Sequence, residues 1–198
     1  METHLAVLVP VAVVWWVAGW LADGLPRLDR ARLLRRRTGW VLGLTLAGIG
    51  LTGAVFLAGL ASAAVPADRA AAGLALAAAP AFVVAVCTVR RLRRVRAGAQ
   101  AFAAVPRIPA PHGLRAAAAH PLVGLPVQVT GLAILPALAT ASGANLPTGP
   151  GVTGFAVTLG VLGVAAIGVR HALRHNRLAE RAMPERPASA RTAGALHV

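Results

Sequence analysis

Between Arg115 and Arg170 the chain runs for 54 residues without an aspartate, glutamate, arginine or lysine. The hydrocarbon layer of a bilayer, about 30 Å thick, is crossed by about 20 helical residues, so one helix cannot use an interval this long and the chain must reverse within it. Turn-forming residues gather at Ser142, Gly143, Asn145, Pro147, Gly149 and Pro150, which divides the interval into spans of about 121–141 and 152–169. Three further charge-free intervals, 3–22, 38–67 and 70–89, supply spans of about 5–22, 40–61 and 70–89. These runs are continuous and rich in Ala and Leu, unlike the alternating segments of about ten residues that build membrane barrels. The expected fold is therefore all-α: a polytopic integral membrane protein with five transmembrane helices. A single helical domain covers 1–183 and a flexible tail 184–198.

Composition agrees, since 57% apolar and 13% charged residues lie far from the soluble globular mixture. All 20 basic side chains are arginine, and they cluster in the gaps between apolar runs. With five spans, one side of the bilayer receives 19 of them, in 23–38, 90–120 and the segment from Arg170, while the other receives Arg69 alone. Positive charge is retained on the cytoplasmic side during insertion, so the N-terminus is expected outside and the C-terminus inside a cytoplasmic membrane. The first span lacks a basic leader and a small-residue cleavage site before Asp23, and is expected to be a signal anchor.

Clusters of this kind suit a phosphate-bearing bilayer surface rather than nucleic acid. The expected anionic-lipid contacts at the inner leaflet are Arg35, Arg36, Arg37, Arg90, Arg91, Arg93, Arg94 and Arg96. Around the last five, Leu92, Val95, Ala99 and Phe102 form a helical stripe, so the third helix should continue past the membrane boundary. Trp20 and Trp40 fall where indoles anchor at an interface. Gly50, Ala54, Ala58 and Ser62 recur every fourth position and offer a smooth ridge for a neighbouring helix.

Prolines at 10, 80, 126 and 136 interrupt the spans, and each removes one helical hydrogen bond. The fourth span is the most irregular. Pro126 and Pro136 free carbonyls near Leu122 and Leu132, and Gln128 between them is the only side-chain amide within a span. Pro126, Gln128, Thr130 and Pro136 are the expected substrate-path residues if the chain carries a solute.

Signals for chemistry are sparse. Cys87 is the only cysteine, which leaves no disulfide or thiolate cluster. His171 and His175 share a helix face, but neighbouring arginines repel a cation, so no metal is expected and a solvated basic helix is the simpler reading. A haem would need imidazoles facing each other inside the bundle; no cofactor is expected. Gly48 to Gly53 matches GxGxxG in letters, yet it lies inside an apolar helix rather than after a strand. Boundary chemistry would fall to Asp23 and His120.

The resulting expectation is a non-catalytic accessory or partner-binding membrane subunit, in contact with the bilayer and anionic lipid and with a second copy or another membrane protein. The alternatives are a small transporter component for a neutral solute, and a membrane enzyme acting on a lipid or isoprenoid at the cytoplasmic boundary.

Overall fold

The computed structural model describes residues 2–61, 65–104, 109–143 and 150–183. Every element in them is helical: α1 (Glu2–Gly24), α2 (Ala31–Ala61), α3 (Val65–Val83), α4 (Val89–Phe102), α5 (His112–Ala118), α6 (Pro121–Ala133), α7 (Leu135–Ala141) and α8 (Pro150–Ala182). A 3₁₀ turn at Leu25–Arg27 follows α1, and a π-helical turn at Val84–Thr88 joins α3 to α4. Five helical stretches are long and apolar enough to cross a membrane: Leu5–Arg27, Ala31–Gly59, Gly73–Phe102, His112–Ala141 and Gly154–Ala182. The tail expected at 184–198 and most of the reversal at 144–149 lie outside the described residues.

The arginine clusters do not end helices. α2 starts at Ala31, so Arg32, Arg35, Arg36 and Arg37 ride on its first two turns. α4 carries the arginines from 90 to 96 around a buried stripe of Leu92, Val95 and Ala99. Arginine is a good helix former whose long stem keeps its charge at the surface. Phe102, the expected end of the stripe, is 40% exposed.

α2 packs on α1, α3 and α4, while α6 packs on α1, α3 and α8. Leu8, Val11, Trp15, Leu74, Val84, Val127 and Ile134 fill one end of this core, and Leu25, Leu34, Val41, Leu92 and Val123 fill the other. The helix contacts run along a different face of α2 from the ridge expected at Gly50, Ala54 and Ala58, whose residues are exposed; Ser62 lies outside the described residues. The buried side is Val41, Thr45, Gly48, Thr52 and Val55. Trp15 explains the choice. Its ring is fully buried over Gly48, where an added Cβ would stand 2.8 Å from Cε2, and its Nε1 donates to Thr52 Oγ1 at 3.2 Å. Within the GxGxxG letters Gly48 and Thr52 thus form the seat for the indole, since the side chain missing at Gly48 lets the bulky ring approach the α2 backbone.

The carbonyl that Pro126 frees finds its donor on another helix. Pro126 leaves the Leu122 carbonyl without its helical amide, and Thr88 Oγ1 donates to that oxygen at 2.6 Å. Thr88 is fully buried at the end of the π-helical turn. The helix breaks at Ile134, ahead of Pro136, and there Trp16 Nε1 donates to the Gly131 carbonyl at 2.8 Å. Away from water an unpaired carbonyl costs free energy, so these two cross-helix bonds make the kinked helix tolerable.

α8 is the outlier. Only 6% of its apolar stretch is buried, against 33% to 50% in the other four. It joins the bundle through its C-terminal half, on α5 and α6.

Candidate functional site

Where α8 diverges from α1 and α6, a cleft of about 530 Å³ opens, lined by Trp15, Trp16, Gly19, Trp20, Gln128 and Arg170 among others. Its volume falls in the range of about 300–1,000 Å³ typical of small-ligand sites. Gly19 permits it, because Gln128 crosses its face: an added Cβ there would stand 3.2 Å from Gln128 Cγ. The walls are indoles and aliphatic groups from Leu132, Ala166 and Ile167, and Gln128 and Arg170 supply an amide and a guanidinium.

Gln128 Oε1 accepts from His171 Nε2 at 3.2 Å, and its Nε2 donates weakly to the Gly19 carbonyl at 3.4 Å. These partners assign the Nε2–H tautomer to His171. His171 is 2% exposed and lies on Gly124, where an added Cβ would come within 2.8 Å of its Nε2. One turn on, His175 Nδ1 donates to the Ala116 carbonyl at 2.8 Å. The basic helix expected to be solvated is thus docked along its histidine face, because a glycine on α6 and the short α5 leave room for two imidazoles. No metal-binding group of three His, Cys, Asp or Glu side chains occurs among the described residues.

Asp23 is tied into the same joint. Its carboxylate pairs with Arg170, with Arg174 at 3.0 Å and with Arg27 at 3.7 Å, and Arg174 also donates to its backbone carbonyl at 3.0 Å. With 17% of its side chain exposed, Asp23 acts here as a clamp between α1 and α8. His120 has a different task. Its Nδ1 accepts from the Leu122 amide at 3.1 Å and so caps α6, while its ring meets His175 edge-on at 5.0 Å. A capping nitrogen must carry a free lone pair, which leaves the proton on Nε2 of the neutral ring. Among the described residues no hydrogen bond or ion pair joins Asp23 to His120.

Of the four residues expected along a solute path, only Gln128 lines the cleft. Pro126 is buried, Pro136 is exposed beyond the break, and Thr130 is fully buried with its hydroxyl donating to the Pro126 carbonyl at 2.7 Å. Gly19, Trp20 and Arg170 line the cleft beside Gln128, and His171 bonds to it; Trp20 carried a sequence signal as an interfacial indole and His171 as half of a histidine pair on one helix face.

The arginines divide as well. Arg35, Arg36 and Arg96 line a second recess of about 800 Å³ together with Arg32 and Trp40. Arg37 turns the other way, its Cζ 5.4 Å from the centre of the Trp20 ring. Arg90, Arg91, Arg93 and Arg94 lie on α4 outside the lining of both recesses.

Fold and site together define an all-helical chain with five membrane-length helices and an aromatic cleft beside its most loosely held helix. No family model matches the chain, and neither a curated protein nor a solved structure does.

Proposed function

We propose that this chain is a multi-pass protein of the cytoplasmic membrane, N-terminus outside and C-terminus inside, that works by binding rather than catalysis. In this reading it is an accessory subunit, and α8 is the helix its membrane partner grips. One observation carries the proposal: residues 154–162 are exposed on every side, although Phe155, Val157, Leu159, Val161 and Leu162 are apolar. A helix that is apolar all round requires lipid or another apolar surface around it. The other four spans already hold one another through close glycine contacts and cross-helix hydrogen bonds, whereas among the described residues the first half of α8 has no such contact with the bundle. Asp23 and His120, the groups available for boundary chemistry, are engaged in a clamp and a helix cap, which favours binding over turnover.

A nitroxide scan tests this, one label per variant across residues 154–165 in native membranes. A partner helix shields one face, so oxygen accessibility should dip with a period of about 3.6 residues. Uniform accessibility through the scan means lipid alone surrounds α8 and overturns the reading.

Gln128 in the cleft wall supports a second reading, a site for a neutral, weakly polar solute within a small transporter component. Under it, Gln128→Leu abolishes uptake of that solute while the chain still folds, at a cost of about 1 kcal/mol for the lost bond to His171. Unaltered uptake removes the path.

A further inference from the structure

The second recess joins residues from segments about sixty positions apart: Arg32, Arg35, Arg36 and Trp40 from α2, and Arg96 from α4. Gly39 lies between them: an added Cβ there would stand 3.7 Å from Arg96 Cζ, an ordinary contact distance, so the guanidinium rests beside the α2 backbone. α2 and α4 are held in register by Leu34, Val41, Leu92 and Val95, all buried in one cluster. The four charges are therefore brought together by a rigid helix pair rather than by mobile loops.

Like charges so placed repel; four arginines elsewhere relieve this with a carboxylate, whereas among the described residues Arg30, Arg90, Arg91, Arg93 and Arg94, which line neither recess, have no ion pair either. Arg27, Arg170 and Arg174 share Asp23, and Arg115 pairs with Asp29 at 3.0 Å. Among the described residues none of the four arginines of the recess has an ion pair. Four unneutralised guanidiniums around one concavity, each able to present paired N–H donors, match the oxygens of phosphate.

We propose that this recess is a binding site for the phosphate-bearing headgroup of an anionic lipid. Trp40 points to a lipid rather than a soluble phosphate. It forms part of the lining while remaining 62% exposed, the placement of an indole whose ring meets acyl chains while its N–H meets headgroups. The site is separate from the α8 partner surface and stands or falls independently of it.

The test uses the full-length protein in neutral detergent, titrated calorimetrically with short-chain phosphatidylglycerol and, in a second arm, with inorganic pyrophosphate. The Arg36→Gln/Arg96→Gln pair is compared with Arg93→Gln/Arg94→Gln, which removes the same net charge from α4 outside the recess. Both pairs change exposed side chains, and circular dichroism verifies that helicity is retained; should one pair unfold, single Arg96→Gln is set against single Arg93→Gln. Lipid binding that weakens at least about tenfold in the first pair and less than about twofold in the second supports the proposal. Equal losses in both pairs mean diffuse attraction and overturn it, as does the absence of lipid binding. Binding of pyrophosphate without phosphatidylglycerol assigns the recess to a soluble anion and overturns the lipid assignment.

Discussion

Gly124→Ala adds a single methyl group at the joint that holds α8. The new Cβ would stand 2.8 Å from His171 Nε2 and 3.1 Å from Nδ1, inside van der Waals contact, and the 2%-exposed ring has little room to retreat. Overpacking of this kind costs about 1–3 kcal/mol. Moving the ring also breaks its bond to Gln128, a further loss of about 1 kcal/mol, whereas alanine in a helix interior recovers about 1 kcal/mol over glycine. The expected net destabilisation is about 1–3 kcal/mol. Reversible unfolding in mixed micelles with rising dodecyl sulfate measures it, and a spin-label distance between α1 and α8 follows the joint directly. The decisive comparison is the same change in a His171→Ala background. There the obstructing ring is gone and Gly124→Ala should be neutral or stabilising by up to about 1 kcal/mol, so the two substitutions couple strongly. An equal cost in both backgrounds refutes the idea that the imidazole packed on a bare glycine backbone is what docks α8.

Two further substitutions probe other cross-helix bonds. Thr88→Val keeps the shape but strands the Leu122 carbonyl, and should destabilise the fold by about 1–3 kcal/mol; in a Pro126→Ala background, where the helix regains its own donor for that oxygen, the penalty should fall below about 1 kcal/mol. Asp23→Asn removes the charge shared by Arg170 and Arg174; because those partners are partly exposed, the cost should be about 1–2 kcal/mol, and it should appear chiefly as increased mobility of a nitroxide on the C-terminal half of α8.

The five-helix pattern was legible because charge is so costly in an apolar layer that its absence marks each span directly. The continuation of the third helix was legible too, through the 3.6-residue stripe of Leu92, Val95 and Ala99 between arginines. The carbonyl at Leu122 was foreseeable from Pro126, but its donor was not, since nothing local in the sequence marks a π-helical turn at Val84–Thr88 or directs Thr88 toward α6. The contact face of α2 was misread for a similar reason. Small residues recur on several of its faces, and the one that packs is selected by Trp15, a bulky partner on another helix. His171 and Arg174 were hidden by the same locality: a basic, histidine-bearing helix suggests solvent until the glycine at 124 and the carboxylate at 23 are brought beside it. Residue spacing encodes which face is apolar, while a site assembled from α1, α6 and α8 depends on tertiary pairing that spacing does not carry.

In the proposed topology the chain crosses its membrane five times with the arginine clusters on the inner face. Fusing a compartment-sensitive reporter to each end in turn, in living cells, tests this most directly: the N-terminal fusion should report the outside and the C-terminal fusion the cytoplasm. Both ends reporting the same compartment would mean an even number of crossings and rule out that topology.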